Sequence, residues 1–182
     1  MNSQLTKDIR VLIDDPPVDV SFDGSEMTDM TNLVLYLSGP ESTPYFGGEW
    51  KLGLKIPPEY PSIPPKAYFL TKIFHPNVHP TSGEVCVDTL KRDWNSSTDL
   101  KQIVATIRCL LIEPNADSAL NEQAGKLIQD DFGSFESTAR IMTRIHARKK
   151  FEDNTVTETR NNETIDMKAP VKKKTKSLLK RL

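Results

Sequence analysis

From position 57 to 65 the chain reads Pro-Pro-Glu-Tyr-Pro-Ser-Ile-Pro-Pro, five prolines in nine residues. Proline lacks the backbone donor and locks φ, so this stretch is barred from the interior of a helix or sheet and must be a stiff connecting loop. The flanking segments are legible as strands. Upstream, Trp50, Leu52, Leu54 and Ile56 alternate with Lys51, Gly53 and Lys55, the period of a half-buried strand. Earlier still, Leu33-Val34-Leu35-Tyr36-Leu37 is an apolar run bounded by Asn32 and Gly39-Pro40, which predicts a buried strand. The turn Pro44–Gly48 between these runs predicts an antiparallel hairpin or meander. After the proline loop, Ala67-Tyr68-Phe69-Leu70 predicts a further strand.

Helical spacing dominates the two ends of this strand region. Leu5, Ile9, Leu12 and Ile13 make one apolar face of a short first helix, with Ser3 placed to cap it. Asp15-Pro16-Pro17 ends it, because a residue before proline is pushed out of the helical region. Further on, Leu100, Ile103, Val104, Ile107, Leu110 and Leu111 predict a helix with Thr98 as N-cap and Pro114 as stop. Cys109 falls inside it and is expected to be a core or boundary residue. A second helix is expected to start from Ser118 and carry Leu120, Ala124, Leu127 and Ile128. Phe135, Ala139, Met142 and Ile145 predict a third. Helix, meander sheet, loop, then three helices is an α+β layout.

Charge divides the chain. Through residue 147 there are 13 Lys and Arg against 20 Asp and Glu, net −7; beyond it there are 11 against 5, net +6. Residues 148–170 are rich in Thr, Asn and charge, which predicts a disordered linker. Residues 171–182 carry a lysine run that ends Leu178-Leu179-Lys180-Arg181-Leu182. Solvation or nuclear import explains lysines but not leucines, so a basic tail docking into an acidic groove with an apolar pocket is expected. The lysine run lacks interleaved aromatics, so no primary nucleic-acid role is expected. Two cysteines, Cys86 and Cys109, argue against a disulfide scaffold and for a reducing compartment. No apolar run approaches the ~18 residues of a membrane span. The expectation is a soluble chain of the cytoplasm and nucleus, with no membrane, bound cofactor or metal.

The chemistry concentrates between Ile73 and Trp94. Cys86 follows a Pro/Gly-punctuated stretch holding His75 and Asn77, a nucleophile and an amide on an irregular loop. By itself this is weak, since an inert buried cysteine is as common. A hydrolase pairing Cys86 with His75 and Asn77 would carry a local motif of the papain type, and none is present. The fuller pattern resembles the ubiquitin-conjugating enzyme family. It is carried by His75-Pro76-Asn77, Gly83-Glu84-Val85-Cys86-Val87-Asp88 and Trp94. Further matching stretches are Gly39-Pro40, Thr43-Pro44-Tyr45, Gly47-Gly48, Tyr60-Pro61, Pro64-Pro65-Lys66, Leu110-Leu111 and Glu113-Pro114-Asn115. The tail and the runs Tyr68–Val78, Leu90–Trp94 and Ser118–Glu122 narrow the resemblance. They are similar to the branch that elongates lysine-eleven-linked chains with the anaphase-promoting complex.

That resemblance implies a ubiquitin-conjugating fold over residues 1–147: an N-terminal helix, a four-strand antiparallel meander, an active-site loop and C-terminal helices. It implies that Cys86 takes ubiquitin as a thioester from the ubiquitin-activating enzyme, which consumes ATP upstream, and passes it to a lysine amine. Asn77 is implied either as oxyanion donor or as a tie within the loop, and His75 as a stabiliser of that loop. Asp88 is implied as a gate for the lysine or a loop cap. Where many members hold an acid this chain has Ser118, with Asp117 offset by one, so the acceptor ubiquitin is expected to supply a carboxylate. The first helix starts late against the family and leaves Lys7 and Arg10 to meet the activating enzyme. The spacing from Asn77 to Cys86 is one residue longer than usual, and His79-Pro80-Thr81-Ser82 is expected to bulge outward. An aromatic at Ser62 and a Ser-Pro-Ala run near Ser96-Ser97-Thr98, both common for tight RING docking, are missing. Leu178, Leu179, Lys180, Arg181 and Leu182 are therefore expected to recruit the multisubunit RING-type ligase. The alternatives are a conjugating enzyme for a ubiquitin-like modifier and an inactive ubiquitin-binding variant.

Overall fold

A computed structural model describes residues 3–22, 29–86, 94–95 and 97–148. The chain clusters into two units, Met1–Lys150 and Phe151–Leu182, the second lying outside the described residues. Within the first, the elements run α1 (Ser3–Asp14), β1 (Val20–Ser21), β2 (Asn32–Ser38), β3 (Glu49–Lys55), β4 (Lys66–Phe69), α2 (Leu100–Ile112), a 3-10 turn (Ala116–Ser118), α3 (Glu122–Asp130) and α4 (Phe132–His146). The four strands form one antiparallel sheet in sequence order. This is the α+β meander the residue pattern predicts. The proline stretch is the external β3–β4 link.

The alternation along β2 and β3 sends Leu33, Leu35, Leu37, Trp50, Leu52 and Leu54 inward, all at most 1% exposed. Ala67 and Phe69 of β4 join them in one buried cluster with Leu100, Ile103, Val104, Ile107 and Leu111 of α2. Each such side chain contributes roughly 1.5–3 kcal/mol on burial, so this seam between sheet and α2 holds the domain. Two ion pairs brace α2 against the segment after α1: Lys101 with Asp15, and Arg108, whose Nε and Nη2 donate to one oxygen of Asp19 at 2.9 and 2.7 Å. Asp19 sits at φ +65°, and its carbonyl accepts from the Ser38 N–H at 2.8 Å. That contact leads into β1, which has two residues and no alternation for a sequence reading to find.

Several expected details are corrected. Helix α2 is capped by Asp99, not Thr98. The Asp99 carboxylate accepts from the Gln102 N–H (2.8 Å) and the Gln102 side chain accepts from the Asp99 N–H (3.3 Å), a reciprocal box that a hydroxyl one residue earlier does not complete. Helix α3 is capped by Asn121, whose side chain accepts from the Ala124 N–H at 3.2 Å. Ser118 is instead in the 3-10 turn. In α1 the core takes Asp8, Ile9 and Leu12 but leaves Ile13 40% exposed. In α4 it takes Phe135, Ala139 and Thr143 and leaves Ile145 exposed. Both polar intruders are satisfied: the Thr143 hydroxyl donates to the Ala139 carbonyl at 2.8 Å, and Asp8 accepts from Tyr60 (2.5 Å) and Gln4 (2.8 Å). Cys109, expected in the core or at its boundary, is exposed.

Candidate active site

The site begins where β4 ends. Residues 83–85 lie along the free side of β4: the Phe69 N–H donates to the Gly83 carbonyl (2.8 Å) and the Val85 N–H to the Ala67 carbonyl (2.9 Å). They also close a short hairpin with residues 77–79. The Cys86 N–H donates to the Asn77 carbonyl at 2.9 Å, the His79 N–H to the Glu84 carbonyl at 2.9 Å, and Val78 bridges Val85. The hairpin turns at His79–Gly83, where the Gly83 N–H reaches the His79 carbonyl. His79 Nδ1 accepts from the N–H groups of Thr81 (3.3 Å) and Ser82 (3.1 Å). Gly83 is required: it sits at φ +72°, and a Cβ there would lie 2.1 Å from the Phe69 carbonyl oxygen. His79, Pro80, Thr81 and Ser82 are exposed in this turn, and Asn77 stays paired with Cys86.

The Cys86 residue is 5% exposed, at the base of this hairpin. Beneath it, His75 and Asn77 are fully buried. His75 Nδ1 accepts from the Asn77 N–H at 3.0 Å, so Nε2 carries the proton and donates to the Leu110 carbonyl of α2 at 2.8 Å. Burial pushes the imidazole down to about 4, against a smaller upward pull from the Leu110 carbonyl. Both ring nitrogens are engaged, so His75 is a neutral strut. Tyr45 stacks near it (5.7 Å between rings), and its hydroxyl donates to the Phe74 carbonyl at 3.0 Å; burial raises its phenol well above the ordinary range.

The side chain of Asn77 is equally occupied. Its Nδ2 donates to the carbonyls of Asn115 (2.6 Å) and Ser118 (3.0 Å), and its Oδ1 accepts from the Asn115 N–H at 2.9 Å. The Pro76 carbonyl accepts from the N–H groups of Leu120 (2.8 Å) and Asn121 (3.0 Å). Residues 115–121 are therefore sewn onto the His75–Asn77 corner. The Asn77 side chain ties the His75–Asn77 corner to residues 115–118. Asn115 repeats the device locally, its Oδ1 accepting from the Asp117 N–H at 3.0 Å.

The remaining predicted residues are spread around this corner and beyond. Ser118 is half-buried and Asp117 exposed on the 3-10 turn. Lys7 and Arg10 are exposed on α1, three residues apart. Asp88 and Leu178, Leu179, Lys180, Arg181 and Leu182 lie outside the described residues. Among the described residues no group of three or more His, Cys, Asp and Glu is gathered that could hold a metal ion. The residue-level reading missed Asn115, the Leu110 carbonyl and the Asp8–Tyr60 pair. Only Asn115 left a signal, as the Asn of a Pro-Asn turn after α2.

Comparison with known proteins bears on this geometry. The profile of the family described as ubiquitin-conjugating enzyme matches residues 4–143. A Xenopus tropicalis protein named ubiquitin-conjugating enzyme E2 S is 46% identical over 145 residues, covering 80% of this chain and 68% of its own. Its namesake from Danio rerio is 48% identical over 141 residues (78% and 63%), and that from Homo sapiens 45% over 140 residues (77% and 62%). The match therefore spans 62–68% of the length of these relatives. Among solved structures, the crystal structure of a candidate ubiquitin conjugating enzyme from Plasmodium yoelii superposes with a TM-score of 0.73 at 30% identity, covering 82% of this chain and 98% of that one.

Proposed function

The chain belongs to the ubiquitin-conjugating enzyme family, and on that premise we propose that it takes ubiquitin as a thioester on Cys86 and extends lysine-eleven-linked chains with the anaphase-promoting complex. The observation that carries the catalytic reading is Cys86 hydrogen-bonded to the Asn77 backbone at the base of a pinned hairpin. The finer reading is supported by the likeness to proteins named E2 S and by the ending Leu178-Leu179-Lys180-Arg181-Leu182.

The proposed chemistry is acyl transfer in two steps. The Cys86 thiolate attacks the thioester carbonyl of ubiquitin on the activating enzyme, forms its own C–S bond and expels the other thiolate. A lysine amine then attacks the new thioester, loses a proton and releases Cys86 as the thiolate. The amine's ordinary pKa near 10.4 calls for an acceptor of that proton. The proposed acceptor is a carboxylate of the acceptor ubiquitin, at the place where this chain holds half-buried Ser118 with Asp117 exposed beside it. Lys7 and Arg10, with the activating enzyme as partner, serve charging; the tail serves ligase docking, in the cytoplasm and nucleus.

The test is charging with ubiquitin, ATP and its activating enzyme, read on a non-reducing gel beside Cys86→Ala. A reducible band that needs Cys86 is expected. A band formed only with another modifier's machinery would move the chain to that modifier. Removal of Leu178–Leu182 is expected to leave charging intact and sharply reduce ligase-dependent chain growth. Equal loss of both would refute the docking role.

A further inference from the structure

The outward face of the sheet carries a row that breaks the rule for cross-strand charge. Lys55 of β3 and Lys66 of β4 stand directly opposite each other in register, both exposed. Like charges so placed repel, and the pairing destabilises the sheet. Lys66 has a partial remedy in half-buried Glu84, 3.4 Å away. Lys55 has no ion-pair partner among the described residues. Asp29, bridged to Asn32, the residue opposite Lys55 in β2, is engaged in its own turn: its carboxylate accepts from Thr31 and from the Asn32 side chain.

Next to these two ammonium groups the proline-rich β3–β4 link curls over the sheet. A cleft of about 410 Å³ is lined by Pro58, Ile63 and Pro64 of this link together with Tyr68, Lys55 and Lys66 of the sheet. Ile63 is 46% exposed, an apolar side chain left on the rim. The volume suits one bulky apolar side chain, and stiff proline walls hold it open without an ordering cost on binding.

We propose that this cleft seats an acidic peptide segment of a partner protein, with one bulky apolar side chain between Ile63 and Tyr68 and carboxylates on Lys55 and Lys66. Charge complementarity selects this occupant. A carboxylate between the two lysines turns a repulsion into a pair of charge-assisted contacts. A single-stranded nucleic acid would also bring anions, but it binds by stacking successive bases on aromatic rings. On this face the ring of Tyr36 is already under the Lys51 ammonium at 5.4 Å, and among the described residues Tyr68 is the one ring that lines the cleft with the lysine pair.

The probe is the peptide acetyl-Glu-Glu-Phe-Glu-Glu-amide, titrated into the full 182-residue chain labelled with nitrogen-15. Saturable shifts are expected at the amides of Lys55, Ile63, Lys66 and Tyr68. Replacing Phe by Ser, or every Glu by Gln, weakens binding by about tenfold or more. Lys55→Glu does the same while leaving ubiquitin charging unchanged and without lowering the melting temperature; Ile63→Asp provides a second, exposed variant. Shifts that map elsewhere would overturn the proposal, as would undiminished affinity in both variants. Oligothymidylate that moves the same amides at equal or higher affinity would also overturn it and assign the face to nucleic acid.

Discussion

The His75–Asn77 corner and the Lys55–Lys66 row lie in the same domain and treat polar groups in opposite ways. At the corner, every side-chain donor and acceptor of two fully buried residues is matched, within 2.6–3.0 Å, to the backbone of the chain itself. Along the row, two exposed ammonium groups face each other with one half-buried carboxylate, Glu84, beside Lys66. The first arrangement is complete and holds the loops around Cys86 in one shape. The second is complete only when something anionic arrives. Buried polarity has to be satisfied within the fold because water cannot reach it. Surface charge can be left unbalanced at small cost, and an imbalance beside an apolar cleft marks a place where a partner does the balancing.

The strongest way to break the contrast is Asn77→Ala. It strands the Asn115 N–H and the Asn115 and Ser118 carbonyls, at roughly 1–3 kcal/mol each before relaxation, so a loss of about 4 kcal/mol in urea unfolding is expected. Chain growth should fall with the fold. A variant of unchanged stability that charges but fails to transfer would return Asn77 to oxyanion stabilisation. Next comes pH. His75 is held near 4 in the fold against 6.5 when unfolded. Between those values the unfolded chain binds a proton that the folded chain refuses. The stabilisation is therefore fully present above pH 6.5 and is lost as pH falls toward 4, by up to roughly 3 kcal/mol. His75→Gln, which has nothing to titrate, should lose that part of the slope; identical slopes would dismiss the strut. The smallest effect lies on the row. Lys55→Gln removes one of two facing like charges and is expected to raise stability by about 0.2–1 kcal/mol, while weakening the acidic peptide. A destabilised Lys55→Gln would mean the pair is already compensated.

How far each element was legible follows from how local its cause is. Strands β2 and β3 and helix α2 were readable because their inward residues recur at the period of the backbone itself. Strand β1 was not, because Val20 and Ser21 are extended only through pairing with Leu37 and Tyr36. Apolar periodicity misassigned Ile13 and Ile145 to the core, since hydrophobicity does not force burial once neighbouring positions fill the seam. It also passed over Asp8, which is buried because Tyr60, 52 residues away, donates to it. In the candidate site, Cys86, His75 and Asn77 could be picked out of the chain as a cluster. Their division of labour could not.

What the residues determine unaided is what neighbours along the chain can enforce: the alternation that makes the meander, the proline stretch that must leave it, the helix faces and the loop that carries Cys86. The tertiary structure alone decided that His75 is a neutral strut under α2, bonded to Leu110 35 residues away, and that Asn77 is spent on Asn115 and Ser118, 38 and 41 residues away. It also decided that Lys55 meets Lys66 across a proline loop. Backbone periodicity reaches only a few residues. A hydrogen bond or a repulsion between distant ones exists only after the chain has closed on itself, when burial removes water as the competing partner and register fixes which charges meet.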